Sequence, residues 1–329
     1  MNQNNNICKP KHKTSIGGQA LIEGLMMIGP ENAAIAIRKP DGEIIVEKRP
    51  TPKKSVFSKV PIARGAVGLF KQMVLGFKAL MYSAEFVDLE DDTGEEDGEN
   101  QKPSKIDKFL EKVFGDKLQD VLIYFSVILS LFFSVGLFML LPNFLSELVL
   151  TKLFEFEKGS KVLLYNIFEG FIRVFLFFLY LYFASKLKDI KRVWQYHGSE
   201  HKTIHCYENG EELTVENIKK YPTAHPRCGT SFLFTVMIVS ILVFSATGRH
   251  DNILINLLIR IILLPLVAGI SYEITRFAGR SDSKIVGIIN APGLLFQKFT
   301  TSEPDEEQIE VAIEAMKNVL VEDREADKW

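Results

Sequence analysis

Four apolar runs fix what this chain can fold into. Residues 118–141 and 162–184 are each long enough to cross a bilayer, which takes about 20 residues at helical rise. Residues 231–246 form a shorter run that extends back toward Gly229, and residues 253–272 form a fourth. No soluble domain accommodates them. Pro142 suits a helix end and Pro265 a kink. The fold expected is a membrane protein, mainly α, with four transmembrane helices in contact with the lipid bilayer.

Orientation follows from the Lys and Arg residues near the ends of each run. One side collects Lys102, Lys105, Lys108, Lys112 and Lys117, then eight cations between Lys186 and Arg227, then Arg276, Arg280, Lys284 and Lys298. The other side has Lys152, Lys158, Lys161 and Arg249. Seventeen cations against four predict a multi-pass protein of the cell membrane. Both termini and the loop 186–230 are then cytoplasmic.

The flanking sequence is different in texture. Residues 1–13 are polar and predict disorder. Residues 33–37 and 43–47 flank Pro40-Asp41-Gly42, which reads as a β-hairpin, and Gly17-Gly18 and Gly29-Pro30 bracket another strand. From Ile62 to Phe86 the period becomes helical: Val67, Phe70, Val74, Phe77 and Met81 recur with Lys71 and Lys78 among them. Such a helix either lies along the membrane surface or packs on the hairpin. Residues 88–99 carry eight acids in twelve positions, a solvated linker. Residues 285–299 are apolar and could return to the membrane surface, and 305–321 read as an amphipathic helix preceded by Pro304. The expected division is a small N-terminal α+β cytoplasmic domain (1–87), an acidic linker (88–105), a four-span membrane domain (106–276) and a C-terminal helical tail (277–329).

Composition excludes some function classes. A formal net charge of −2 gives no bulk electrostatic case for a nucleic-acid partner. Three cysteines, Cys8, Cys206 and Cys228, do not make a disulfide framework. The first thirty residues are broken by Gln19 and Glu23 and show no signal-peptide apolar core.

The chemistry concentrates between the second and third runs. His197, His201 and His205 are spaced four apart, and on a helix each step rotates the side chain by only about 40°, so they share one face. Glu200 lies about 60° to the other side of His197. This arrangement can present imidazoles and a carboxylate to one cation, as zinc requires. His197-Gly198-Ser199-Glu200-His201 fits H-x-x-E-H, in which two histidines bind zinc and the glutamate works on its water. His205, His225 or Glu273 would complete the shell, and Glu200 would act as the catalytic proton acceptor. Cys228 could serve too, since thiolate and imidazole both suit zinc, although it also reads as a buried thiol in a turn. Cys206 points off the histidine face and reads as structural. The competing reading of the whole cluster is a juxtamembrane helix with histidines at headgroup level.

Glu169 and Arg173 are spaced for an ion pair inside a span, either structural or part of an ion path. Arg260 could snorkel outward. Glu23, in an apolar stretch, is either a site residue or an exposed strand position.

Several stretches together resemble the YqhQ-like family of bacterial membrane proteins, a family of unknown function. They are 17–27 (GGQALIEGLMM), 61–65 (PIARG), 197–202 (HGSEHK), 225–230 (HPRCGT), 291–293 (APG) and Thr300-Thr301. The resemblance runs from about Thr14 to Val321. It implies a membrane protein whose relatives are labelled predicted metal-dependent enzymes, and it implies no substrate or reaction. The function expected is a divalent-metal site, zinc before others, on the cytoplasmic face, with hydrolytic use of that metal. The rival class is a non-enzymatic scaffold or transporter component, with a homo-oligomer or a membrane-protein partner.

Overall fold

The computed structural model describes residues 12–51, 56–86, 118–154, 162–248, 252–280, 283–323 and 325–328. The acidic stretch, the lysines from 102 to 117 and Cys8 lie outside the described residues. Two compact units are present: Met1–Asp88 with Leu179–Val243 and Arg260–Trp329, and Leu89–Phe178 with Phe244–Ile259.

The first unit is built on an antiparallel sheet in the order β1 (Gly17–Leu21), β2 (Gly24–Ile28), β3 (Asn32–Arg38), β4 (Ile44–Pro50). The expected hairpin is β3 and β4, turned at Gly42, whose φ of 88° suits a residue without Cβ. The single strand expected between Gly17 and Pro30 is two strands instead. Glu23, at φ 48°, turns the chain back, and Gly24 passes so close to the Ala36 carbonyl that a Cβ would lie 2.5 Å from it. Strand periodicity then sorts the sheet into two faces. Leu21, Met26, Ile35 and Ile37 pack with Ala79 of α1 (Ala63–Ala84). Leu25, Met27, Ala34 and Ala36 pack with Tyr196, Ile204 and Tyr207 of α4 (Lys188–Glu208) and with Val311, Ala312, Ala315 and Met316 of α9 (Glu306–Lys317). The segments before the first of the long apolar runs and after the last therefore share one core. Their ends also meet: Thr14 bridges to Lys328, and buried Asp327 accepts from His12 Nε2 at 2.6 Å and Tyr207 Oη at 2.8 Å.

Among the described residues, four helices are long and apolar enough to cross a membrane: Phe125–Leu153, Leu163–Ala184, Gly229–Ala246 and Leu254–Arg280. The first begins in α2 (Leu118–Val135) and does not stop at Pro142. Five π-helical residues, Gly136–Leu140, precede the proline, and Leu148–Leu153 are π-helical again. Wider turns of this kind accommodate the missing proline N–H without ending the helix. The others are α3 (Val162–Ala184), α6 (Gly229–Ala246) and α7 (Ile253–Arg280), with Pro265 inside α7. A short α5 (Val215–Lys219) precedes α6, and α8 (Lys284–Thr300) joins α7 to α9.

In the second unit Arg173 donates to Glu169 Oε1 at 2.7 Å and to the Phe138 carbonyl at 2.9 Å. Asn143 donates to the other Glu169 oxygen at 3.2 Å. Glu169, 1 % exposed, is thus saturated inside the apolar packing. Arg260 is buried rather than extended outward.

Candidate metal centre

The histidines sit on the second half of α4, where every residue from Tyr196 to Glu208 is buried. Helix α4 runs on past the histidines and ends at Asn209-Gly210, with Gly210 in the left-handed conformation (φ 70°). Two glycines let neighbouring backbone reach the site. A Cβ on Gly198 would lie 2.1 Å from the Ser302 carbonyl oxygen, so α4 and the end of α8 touch there. That contact brings the Thr300 carbonyl to His197 Nδ1 at 2.7 Å. A Cβ on Gly18 would meet the Met26 carbonyl at 2.6 Å and the Glu200 carboxyl carbon at 3.0 Å. Without it, the Gly18 N–H reaches Glu200 Oε1 at 2.7 Å.

His197 and His201 lie edge to face with ring centroids 4.4 Å apart. His201 Nδ1 is 2.5 Å from the Thr223 carbonyl, as His197 Nδ1 is tied to Thr300. A carbonyl can only accept, so each ring presents an Nδ1 proton to it and turns its Nε2 toward the other side, where a cation could replace a proton. His197 Nε2 meets Cys228 Sγ at 3.2 Å. His201 Nε2 is buried without a hydrogen-bond partner. One ligand atom from each of His197, His201 and Cys228 lies within 4.8 Å of the other two. Glu200, 6 % exposed, and His201 face a cavity of about 80 Å³ together with Gly18, His225 and Cys228.

The electrostatics of the group are those of a thiolate among imidazoles. Burial by itself would raise the Cys228 thiol, but His201 and His197 outweigh it and hold the thiol well below its ordinary range. Burial by itself would lower the His197 ring, but the neighbouring sulfur raises it to about 9. Burial raises the Glu200 carboxyl, against the pull of His197 and His201. Such a set suits a cation that replaces the shared proton.

The remaining candidates fall elsewhere. His205 and His225 adjoin the triad, with ring centroids 4.5 Å apart, and gather a third residue, Glu208. This second group is already occupied by internal bonds. Glu208 accepts from the Arg227 guanidinium, and from the Thr14 N–H at 2.9 Å. His205 Nε2 is at the Ala224 carbonyl, 2.9 Å, and the Arg227 N–H points to His225 Nδ1 at 3.3 Å. A guanidinium in the cluster opposes a second cation. Burial lowers both His205 and His225, and the neighbouring His201 and Arg227 lower each of them further. Glu273 is not with the histidines: on α7 it accepts from Arg64 Nε at 2.7 Å and from the Ile62 N–H. Glu23 accepts from Arg192 and from Tyr196 Oη, clamping the β1–β2 turn to α4. Cys206 packs among Ile218, Ile309 and Ile313, with Sγ 3.4 Å from the Glu212 carbonyl.

Two participants escaped the sequence reading. Glu208 continues the histidine stripe eleven residues after His197, about 20° away on the wheel, and that spacing was available. Gln297, fully buried on α8, accepts the His225 N–H at 2.8 Å and donates to the His225 carbonyl at 2.8 Å. Nothing local marks it.

Residues 60–322 match the family described as Protein of unknown function (DUF1385). The chain is 35% identical over 320 residues to the Uncharacterized protein YqhQ of Bacillus subtilis (strain 168), covering 94% of each chain. No solved structure matches it at a significant level. On both counts this chain belongs to the YqhQ-like family of proteins of unknown function.

Proposed function

We propose that this chain is a multi-pass membrane protein that holds one divalent metal ion, zinc, at His197, His201 and Cys228 on the cytoplasmic side and uses it in hydrolysis, with Glu200 as the proton acceptor. The observation that carries this reading is the pair of imidazoles locked by backbone carbonyls at Nδ1. Their Nε2 atoms sit beside one cysteine sulfur, and that of His201 is buried with no hydrogen-bond partner. Metal-ligating histidines are held this way, by an outer hydrogen bond that fixes tautomer and ring orientation. A thiolate with two imidazoles favours zinc over the hard cations. Three protein ligands with a fourth position left open is the pattern of catalytic rather than structural zinc.

Zinc at such a position supplies Lewis acidity and makes water a usable nucleophile near neutral pH. The chain's own groups do the rest. Glu200 faces the cavity with one oxygen tied to the Gly18 N–H, which orients the carboxylate. Burial raises its proton affinity, as a general base working near neutrality needs. The cavity admits water and a small portion of a substrate.

Elemental analysis of the full-length protein purified in detergent tests the metal. Wild type is expected to carry about one zinc per chain, and His197→Ala/His201→Ala and Cys228→Ser to lose most of it. Equal metal in wild type and the double variant removes the site. Glu200→Gln is expected to retain zinc and to reproduce the phenotype of a gene deletion. A cell indifferent to Glu200→Gln but not to deletion leaves binding and removes hydrolysis.

A further inference from the structure

Helix α1 has one face on the sheet and another that is exposed among the described residues. Gly65, Gly76, Ala79 and Ser83 are buried. Centred about 125° round the helix, Phe70, Met73, Val74, Phe77 and Leu80 are 68, 64, 42, 48 and 36 % exposed and fall within one 120° arc. Lys71 and Lys78 lie along one border of that arc. Ahead of the helix, Phe57, Val60 and Ile62 are exposed as well. Water-facing surfaces rarely carry a contiguous apolar patch of this size.

The amino-terminal end of α1 says what covers it. A Cβ on Gly65 would strike the Tyr272 side chain of α7 at 2.5 Å, and a Cβ on Gly269 of α7 would strike Ile62 at 2.4 Å. Close approach through small residues is how helices meet inside bilayers. Phe57, Pro61, Ile62 and Ala63 line an apolar groove together with Pro265 and Leu266 of α7. At about 1.5 Å rise per residue, Pro265 lies about 12 Å along α7 from Glu273, the first charge toward its carboxy end. The groove thus opens alongside the apolar stretch of a candidate span. Arg64 and Glu273, the ionisable residues at this junction, neutralise each other.

We infer that residues 56–84 form a further membrane element: their amino end dips beside α7 into the acyl region of one leaflet. The apolar arc of α1 then lies on the lipid, with Lys71 and Lys78 at the level of anionic headgroups. Interfacial helices of this composition bury their apolar face by about 5–10 Å, which matches the reach of the groove. The sheet, and α4 behind it, are thereby held at the bilayer surface. This inference rests on α7 being a span and not on the metal.

The test uses the full-length protein in nanodiscs of phosphatidylcholine and phosphatidylglycerol. A phosphatidylcholine carrying a diazirine in its acyl chain is photolysed, and crosslinked peptides of the unmutated protein are mapped. Acyl crosslinks are expected at Phe70–Phe77 as well as around Ile262, which is exposed on α7. In parallel, Phe70→Cys and Phe77→Cys are expected to react with N-ethylmaleimide about ten-fold more slowly than Gln72→Cys, an exposed position of the same helix outside the apolar arc. Equal rates overturn the inference. Slow labelling without acyl crosslinks overturns it too, because a second copy or another protein then covers the face. Crosslinks absent from Ile262 remove the span and the inference with it.

Discussion

Cys228 and Cys206 are both buried, yet their surroundings push the two thiols in opposite directions. Cys206 is enclosed by aliphatic side chains, and burial pushes its thiol up to about 11, so at pH 8 it stays protonated and inert. Cys228 faces two imidazoles and is held as the thiolate. Chelation of the protein at pH 8 is therefore expected to raise iodoacetamide labelling of Cys228 several-fold and leave Cys206 unchanged, read by peptide mass spectrometry. Cys228 labelling that ignores the chelator would show that its sulfur holds no metal. Gly198 gives a second prediction. Its replacement by Ala places a methyl 2.1 Å from a backbone oxygen that has nowhere flexible to go. Overpacking of this kind costs roughly 1–3 kcal/mol, and it pushes the Thr300 carbonyl away from His197. A lower melting temperature together with lost zinc is expected for Gly198→Ala; full zinc retention would show that Thr300 does not position the ring. At this scale the sequence was informative about rings and silent about what holds them. Four-residue spacing declares that His197 and His201 share a face. The carbonyls of Thr300 and Thr223, and the Gly18 N–H, are backbone groups that any residue carries, so no sequence signal marks them.

Helices and strands were legible where a single physical requirement decided them. Long apolar runs announced the candidate spans, and the turn residues Pro40-Asp41-Gly42 between two apolar runs announced the hairpin of β3 and β4. Expectation and structure part where two local rules compete. Pro142 signals an end, but π-helical turns on either side absorb it, and the helix continues to Leu153. Gly17 to Pro30 looks like one strand because the turn at Glu23 lacks a proline or asparagine. Inside α3, Glu169 and Arg173 had two readings, a packed pair or an ion path. Glu169 binds Arg173 and Asn143, and Arg173 also bonds the Phe138 carbonyl and lies 5.8 Å from the Phe244 ring. Groups so fully engaged are poor relay stations. Glu169→Leu alone leaves a guanidinium unpaired in an apolar setting, at a cost of about 3–5 kcal/mol. The double variant Glu169→Leu/Arg173→Leu removes both charges and is expected to regain most of the lost thermal stability in detergent. A double variant no more stable than the single one would mean that the pair is not a self-contained structural unit, and would reopen the ion-path reading.

The candidate metal centre draws its parts from stretches far apart in the chain, and the order of those stretches constrains the whole molecule. Gly18 precedes the first candidate span, His197 and His201 follow the second, Cys228 precedes the third, and Thr300 follows the fourth. Between any two of them the chain passes an even number of spans, either none, two or four. Only an even number returns the backbone to the face it left, so a centre made of these residues is consistent with four crossings and inconsistent with three. The contact of Thr14 with Lys328 and of His12 with Asp327 imposes the same parity on the two ends. Parity leaves open which face it is, and the cytoplasmic one is proposed from the excess of seventeen Lys and Arg on the side of the ends over four on the other. Fusions to a green fluorescent protein and to alkaline phosphatase, placed after residue 329, before residue 1 and at 211, are expected to fluoresce and to lack phosphatase activity. Fusions near residues 158 and 250 are expected to behave in the opposite way. Phosphatase activity at either end with fluorescence at the other would require an odd number of crossings. Thr14 would then face Lys328, and Gly18 would face Thr300, across a bilayer of about 30 Å, and neither the closed core of sheet, α4 and α9 nor the centre beneath it could exist in the membrane.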